Sequence, residues 1–596
     1  MFGYTGKRLI IDLTEHTYKV ENIEESLLLS SIGGRGLNSV TLFNRLKPQT
    51  EPLSPESILL FGIGPLTGTC LPASARFTVS GKSPLTGILG DGNAGGHWAS
   101  ELKFAGFDQI SISGKSNKWI YLFIFNGKVE FRNAEYLKGK DIFETTTLIR
   151  KELKDNSIQI SAIGPASENL VKFGSISCNL TRIAARTGMG TIMGSKKLKA
   201  IALKGDIPVK IKHPDKFLKL SQLLDKKIES HPEFGRRKKM GTTMLISQLN
   251  KIGILPTNHF QNGINDYSDK ISGETLSEKF NVKNKACFNC NLPCSRYFFT
   301  GEVEGEGPEY ETLCGFTSRI GQKDLHFALK MNDYVNRMGL DSITLTEIIG
   351  WAMECIQKGI LSFSDFDNLN LVWGNKKAIF ELTRKIVYRE GVGDILAEGV
   401  KKASEYFGKD SEKLALHVKG LEIICGDPRG IKGYGLTYAI SSRGADHLRA
   451  EPFFELTCNK KEAKKRFGYE EAADRLEETG KPELVNYTEK IALLCDSITM
   501  CKNIGLCMDI LDIQACAELL NYGTGLNFNP SKLYETAEHI INIEREFNLR
   551  EGLKPEEDTL PERFIKEPLK NGKSAGHTVN IKKMVDRYYE IKGWKK

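Results

Sequence analysis

Cys287-Phe-Asn-Cys290-Asn-Leu-Pro-Cys294 decides how this chain of 596 residues is read. Three cysteines at C-x2-C-x3-C spacing can turn their sulfurs toward one point, as a tetrahedral zinc or an iron–sulfur cube requires. Zinc needs a fourth Cys or His close by, in a second paired motif, and none follows within about forty residues. A cube can take its fourth thiolate from far away, and Cys501, in Asp496-Ser-Ile-Thr-Met-Cys501-Lys502, is the best remote candidate. Pro293 pushes Leu292 out of helical geometry, which suits a loop wrapped around a cluster. The plainer readings of the same spacing are a zinc knuckle or three buried thiols.

Outward from the motif, composition sets bounds. A chain of this length exceeds one core and predicts two to four domains. With 40% hydrophobic and 26% charged residues it has the make-up of a soluble globular protein. No apolar run is long enough to cross a bilayer. The stretch Met1 to Leu13 lacks a signal-peptide core, so a cytoplasmic location is expected. Thirteen cysteines without such a signal point to reduced thiols and metal ligation, with Cys70, Cys178, Cys314, Cys355 and Cys516 expected as small core residues. The net charge of +9, from 83 basic and 74 acidic residues, reads as spread along the chain. That excludes a nucleic-acid stripe but leaves room for steering an acidic protein partner.

The expected fold is α+β. A β-rich cofactor-binding domain over 1–208 precedes two mainly α-helical domains, 209–415 with the cysteine motif and 416–596 with Cys501. In the first domain, Trp119 to Phe125 and Val129 to Phe131 flank Asn126-Gly127, a strong hairpin signal. Between strands lie glycine-rich turns at 32–38, 64–69, 83–87, 91–98 and 182–190. Such turns let backbone N–H groups approach an anion, and Arg76, Arg182 and Arg186 are candidate phosphate partners. None is a GxGxxG or Walker loop, so neither a dinucleotide nor a nucleoside triphosphate is indicated. Glycine serving tight turns is the plain alternative for any one of them. Later, Phe327, Met331, Tyr334, Val335 and Met338, then Leu533, Ala537, Ile540 and Ile541, form helical core stripes. The charged stretch from Arg550 to Pro568 reads as surface loop. For acid–base chemistry, Glu309 and Glu311 follow the cysteine motif closely, and His447 sits among glycine and charges instead of on an apolar helical face. No HxxxH or HExxH pairing occurs, which argues against a zinc hydrolase.

Taken together, IGGRGLN at 32–38, GPLTGT at 64–69, DGNAGG at 91–96, GSKKLKAIA at 194–202, the cysteine motif, EGPEYET at 306–312 and RGADHLRA at 443–450 resemble the tungsten-containing aldehyde:ferredoxin oxidoreductase family over essentially the full length. The resemblance implies that Cys287, Cys290, Cys294 and Cys501 ligate one [4Fe-4S] cluster. It implies a tungsten (or molybdenum) bis-pyranopterin whose phosphates, with a bridging Mg2+, are held by Arg76, Asn93, Gly95, Arg182, Ile183 and Ala184. Asn336, Leu340, Asp341, Arg449, Asp496 and Met500 would hold the two pterins, and Glu311 and His447 would line the substrate side of the metal. An aldehyde would be the substrate, and ferredoxin or a dedicated iron–sulfur subunit the electron acceptor, with a homodimer or hetero-oligomer conceivable. The sequence departs from the pattern where Asn336 stands for the usual Asp and Thr499-Met500 for Gly-Leu. Lys330-x-x-Asp333 replaces a Glu-x-x-His tied to a bridging iron site in some members, so a metal-bridged dimer is not expected. Reduction of acids or thioesters on the same cofactor is the alternative, and a non-catalytic zinc-stabilised interaction protein is the alternative of another class.

Overall fold

The computed structural model describes residues 1–595. Twelve strands between Lys7 and Lys204 form two mixed six-stranded sheets. The first holds β1 (Lys7–Asp12), β2 (Thr17–Asn22), β3 (Leu59–Gly62), β4 (Phe77–Lys82), β5 (Leu89–Ala94) and β6 (Gln109–Ser113), in the order β2-β1-β6-β3-β4-β5. The second holds β7 (Ile120–Phe125), β8 (Lys128–Asn133), β9 (Gln159–Ala162), β10 (Ile176–Cys178), β11 (Arg182–Ala184) and β12 (Leu198–Lys204), in the order β11-β10-β9-β12-β7-β8. Only β1–β6 and β12–β7 pair in parallel. Asn126 and Gly127 both adopt positive φ and close the β7–β8 hairpin as the sequence predicts. One apolar core joins the sheets: Trp98 packs on Phe61 and Phe77 of the first while its indole N–H donates to the Ile201 carbonyl of β12.

The rest is largely helical. The two predicted stripes lie on α2 (Leu325–Met338) and α6 (Pro530–Arg550), where Phe327, Met331, Val335, Leu533, Ala537, Ile540 and Ile541 are buried. With α1 (Gly34–Arg45), α3 (Ser342–Gln357), α4 (Lys432–Ile440), α5 (Lys481–Ile498) and α7 (Ile581–Lys592) they surround two further cores. One runs from Ala166 to Tyr589. The other gathers α5 and α6 around Leu292 of the cysteine loop and takes in Ile32, Leu66 and Leu71 from the sheet region. Among the described residues no helix is long and apolar enough to cross a membrane.

Two expectations are corrected. The stretch from Arg550 to Pro568 is a surface segment only in part: Lys554, Glu556, Glu562, Lys566 and Glu567 are exposed as expected, but Asp558 meets Lys419 at 2.5 Å and Arg545 at 2.8 Å, and Arg563 pairs with Glu354 at 2.5 Å, all buried. Composition does not distinguish those internal charges from the solvated ones. Cys70 is exposed, whereas Cys178, Cys314, Cys355 and Cys516 are buried as expected.

Candidate active site

The cysteine loop projects from a hairpin of Asn281–Lys285 and Ser295–Phe299. Asn289 at its tip takes a left-handed conformation, common for Asn, and turns the chain back. Main-chain hydrogen bonds tie this loop to three distant segments. The Phe288 N–H donates to the Gly96 carbonyl at 3.0 Å, the Ala73 N–H to Asn289 at 3.3 Å, and the Cys501 N–H to Ala73 at 2.9 Å. All four predicted thiols thereby come together. Burial and the neighbouring thiols push Cys290 up, while burial and Glu309 push Cys294 up to about 12. Bare Cys290 and Cys294 stay protonated, and a metal would have to displace those protons. Among the described residues no three His, Cys, Asp or Glu side chains converge on a single-ion spacing. The corner is tailored around sulfur: a Cβ on Gly95 would lie 2.8 Å from Cys287 Sγ, and Arg76 Nη1 stands 3.9 Å from Cys501 Sγ.

Beside it, Arg76 Nε donates to Asn93 Oδ1, and Asn93 Nδ2 donates to Thr78 across the β4–β5 pair at 3.1 Å. Arg182 lies close to Cys287 and pairs with Glu306 at 2.5 Å. Ile183 and Ala184 follow it in β11, whose backbone abuts β5: a Cβ on Gly92 would approach Ala184 C to 3.0 Å. Arg186, a candidate phosphate partner from sequence, is fully engaged elsewhere. Its guanidinium donates to the carbonyls of Glu422 and Ala445 and pairs with Asp341 and Asp446.

The glycine turns divide by function. Gly33, Gly34 and Gly64 are needed because the C-terminal turn of α5 passes against them, with a Cβ on Gly34 only 2.2 Å from the Asp496 carbonyl. Arg35, in the same turn, makes a bidentate pair with buried Glu544 and lies 3.5 Å from Asp496. Helix α5 ends at Thr499, which holds a left-handed φ of 62° unusual for a β-branched residue. Thr67 Oγ1 at 2.5 Å and the Arg76 N–H, donating to the Thr499 carbonyl, fix it. This turn delivers Met500, fully buried, and Cys501.

Of the other residues assigned to the pterins, Asp496 holds Lys502 at 2.7 Å through both oxygens. Asp341 caps α3 and accepts from Thr344, Leu340 is buried, and Asn336 is half-buried on the last turn of α2. Arg449 differs: it is buried, its Nη2 lies 2.7 Å from Asp91 Oδ2 without hydrogen-bond alignment, and its Nε has no partner. An arginine in that condition is ready to bind an anion or a ring carbonyl.

Glu311 is half-buried within electrostatic reach of His447. Burial raises its pKa above the ordinary carboxylate value, opposed by His447 and by the Cys425 N–H, which donates to Oε2 at 2.7 Å. His447 Nδ1 has no partner, and Nε2 stands 3.9 Å from Glu451 Oε2. The pair is a carboxylate more readily protonated than usual near an imidazole whose Nδ1 has no partner. Glu309 instead points to Thr242 and the cysteine corner. Sequence reading missed Cys425, Glu451 and Arg319, whose Nη2 donates to the Ile423 carbonyl at 2.6 Å and so fixes the segment that contacts Glu311. It also missed fully buried His259, held between Glu347 and Glu354 at 2.6 and 2.5 Å. Cys425 lies 114 positions from Glu311 and His259 lies 88 from Glu347, separations that leave no local pattern, whereas Glu451, four positions after His447, was within reach of a local reading.

A carboxylate–histidine pair and a corner of four neighbouring thiols, on a sheet region fused to a helical body, are the chemistry-bearing features of the chain, and its relatives are oxidoreductases. The chain belongs to the aldehyde ferredoxin oxidoreductase family: the N-terminal-domain profile matches residues 8–205 and the profile of domains 2 and 3 matches residues 219–596. It is 37% identical to the tungsten-containing aldehyde ferredoxin oxidoreductase of Pyrococcus furiosus over 100% of this chain and 97% of that protein. It is 31% identical to the WOR-like subunit of an aliphatic sulfonate oxidoreductase from the same organism, over 100% of this chain and 95% of that one. Among solved structures it is similar to the active-site complex BamBC of benzoyl coenzyme A reductase, with a TM-score of 0.87 and 26% identity over 100% of this chain and 95% of that chain.

Proposed function

We propose that the chain oxidises aldehydes to carboxylic acids on a tungsten (or molybdenum) bis-pyranopterin, with electrons leaving through one [4Fe-4S] cluster to ferredoxin in the cytoplasm. The observation that carries this reading is half-buried Glu311 near His447, at full-length similarity to a tungsten-containing aldehyde ferredoxin oxidoreductase. The residues present fit the groups. Cys287, Cys290, Cys294 and Cys501 would hold the cluster, with Gly95 leaving the sulfur its room and Arg76 standing between cluster and pterin. Asn93, Arg182 and the backbone of Ile183 and Ala184 would hold the phosphates and Mg2+. Arg449 would donate to a pterin through its unpartnered Nε, while Asp341 and Asp496, already engaged within the protein, would act through remaining lone pairs.

When bound, the metal–dithiolene group supplies a two-electron acceptor next to the substrate. The overall change is RCHO and water to RCOO−, three protons and two electrons. Glu311 Oε1, opposite the oxygen held by Cys425, takes a proton from the water oxygen that adds to the carbonyl carbon. His447 donates a hydrogen bond to the carbonyl oxygen as it gains negative charge, a contribution of about 3 kcal/mol for a well-placed donor.

Glu311→Gln preserves shape and removes the base. Aldehyde-dependent dye reduction is expected to fall at least about 100-fold, with iron and tungsten per chain unchanged; retained activity at full metal content would place the base elsewhere. Likeness to benzoyl coenzyme A reductase favours a second reading, reduction of the ring of an aromatic coenzyme A thioester. Turnover of benzoyl coenzyme A but of no aldehyde would select it.

A further inference from the structure

Electrons released in this core must reach another protein, and the charge of the chain is not scattered as its composition implied. Residues 210–240 contain ten Lys or Arg against four Asp or Glu, six of the nine net charges. Lys283 and Lys285 add two more within 281–294, so nearly all the excess sits in two short segments.

Both segments pack on the cysteine loop. Asn291 Nδ2 donates to the Asp225 carbonyl of helix Pro214–Ser230 at 3.2 Å. Asn284 Nδ2 donates to the Lys238 carbonyl of helix Phe234–Met240 and to Pro293 of the loop itself at 3.1 Å. Helix Pro214–Ser230 buries Phe217, Leu224 and Ile228 in the core that contains Leu292, which turns Lys216, Lys219, Leu223, Lys226 and Lys227 outward as one stripe. Lys238, Lys239 and Lys283 are exposed beside it, as is Asn289 at the loop tip. Among the described residues Lys219, Lys226, Lys227, Lys238 and Lys239 have no ion-pair partner. Asp215 and Glu229 are the exposed acids of the longer helix. Within this charge lie exposed Leu223 (50%), Leu218 (47%) and Val282 (60%).

We propose that this lysine-rich surface over the Cys287–Cys294 loop is the docking site of a small acidic iron–sulfur electron carrier. The inference rests on the cluster assignment above and adds to it the exit face. Unpaired lysines steer an acidic partner over roughly a Debye length and lose that effect in salt, while a few exposed apolar side chains give the short-lived contact typical of electron-transfer encounters. Each encounter moves one electron: the cluster is oxidised, the carrier is reduced, and two encounters balance one aldehyde.

The test uses metal-loaded enzyme and an acidic ferredoxin with two [4Fe-4S] clusters. Its dissociation constant is measured by calorimetry from low to high ionic strength, for the wild type, for Lys226→Glu/Lys227→Glu/Lys238→Glu/Lys239→Glu, and for the remote control Lys402→Glu/Lys409→Glu. The proposal expects the quadruple variant to bind at least about tenfold more weakly at low salt with a flattened salt dependence, while the control and dye-linked aldehyde oxidation are unchanged. Unchanged ferredoxin affinity in the quadruple variant, or equal weakening in the control, overturns the surface. Absence of dye-linked aldehyde oxidation in the wild type would instead count against the proposed reaction and leave the binding result readable.

Discussion

The glycine turns Ile32–Asn38 and Asp91–Gly96 share composition, lie in the same sheet region, and face opposite kinds of neighbour. At the first, glycines admit the backbone of α5, and Arg35 locks the contact onto Glu544 and Asp496. At the second, Gly95 admits a sulfur, and Gly96 receives the Phe288 N–H. One turn therefore holds two parts of the protein together and the other makes room for chemistry. A missing Cβ reports closeness to something; only the partner's identity separates packing from a site.

Substitutions on the two turns should consequently fail in different ways. Gly34→Ala, at φ +44° with its Cβ 2.2 Å from the Asp496 carbonyl, is expected to cost about 4 kcal/mol or more and to prevent recovery of folded protein; normal expression and melting would show that the contact relaxes freely. Glu544→Gln leaves Arg35 partly uncompensated in the interior, an expected loss of about 3–5 kcal/mol seen as a lowered thermal midpoint at neutral pH.

The same pair sets an acid limit. Although burial raises the Glu544 pKa, Arg35 and Arg449 hold it down at about 2, against an ordinary 4.5. A depressed carboxylate stabilises the fold above its unfolded pKa, and that stability disappears as protons bind. The wild-type thermal midpoint should drop between pH 4.5 and 2, and Glu544→Gln should lose the part of that drop due to this group. Gly95→Ala should leave melting of the metal-free chain within about 1 kcal/mol of wild type and lower the iron bound per chain. Full iron content in that variant would remove Gly95 from the sulfur corner. The smallest effect belongs to Thr499→Gly: relief of a left-handed β-branched residue and loss of the Thr67 hydrogen bond are each worth about 1 kcal/mol, so the net change should stay within about that amount.

Much of this was legible in the sequence because it is local. The Asn126-Gly127 hairpin, the stripes on α2 and α6, and three of the four thiols follow from spacing alone. Cys501 was singled out because a cube would need a fourth sulfur, and it lies within electrostatic reach of Cys290 and Cys294. What escaped is long-range pairing: Arg186 looks like a phosphate ligand until Asp341, Asp446 and two carbonyls engage each of its three nitrogens. The net charge looked uniform because counting over the whole chain hides a 31-residue concentration between 210 and 240. Glu311 was separable from Glu309 only by where each points.

Asp558 and Arg563, near the far end of the sequence, neutralise Lys419, Arg545 and Glu354, while Phe564, Val579 and Tyr588 fill the same core as Tyr310 and Leu313. Partners so far apart in sequence cannot pair until both are present, so the body that holds Glu311 is one cooperative unit whose closure waits on contacts between residues 310–354 and 558–588.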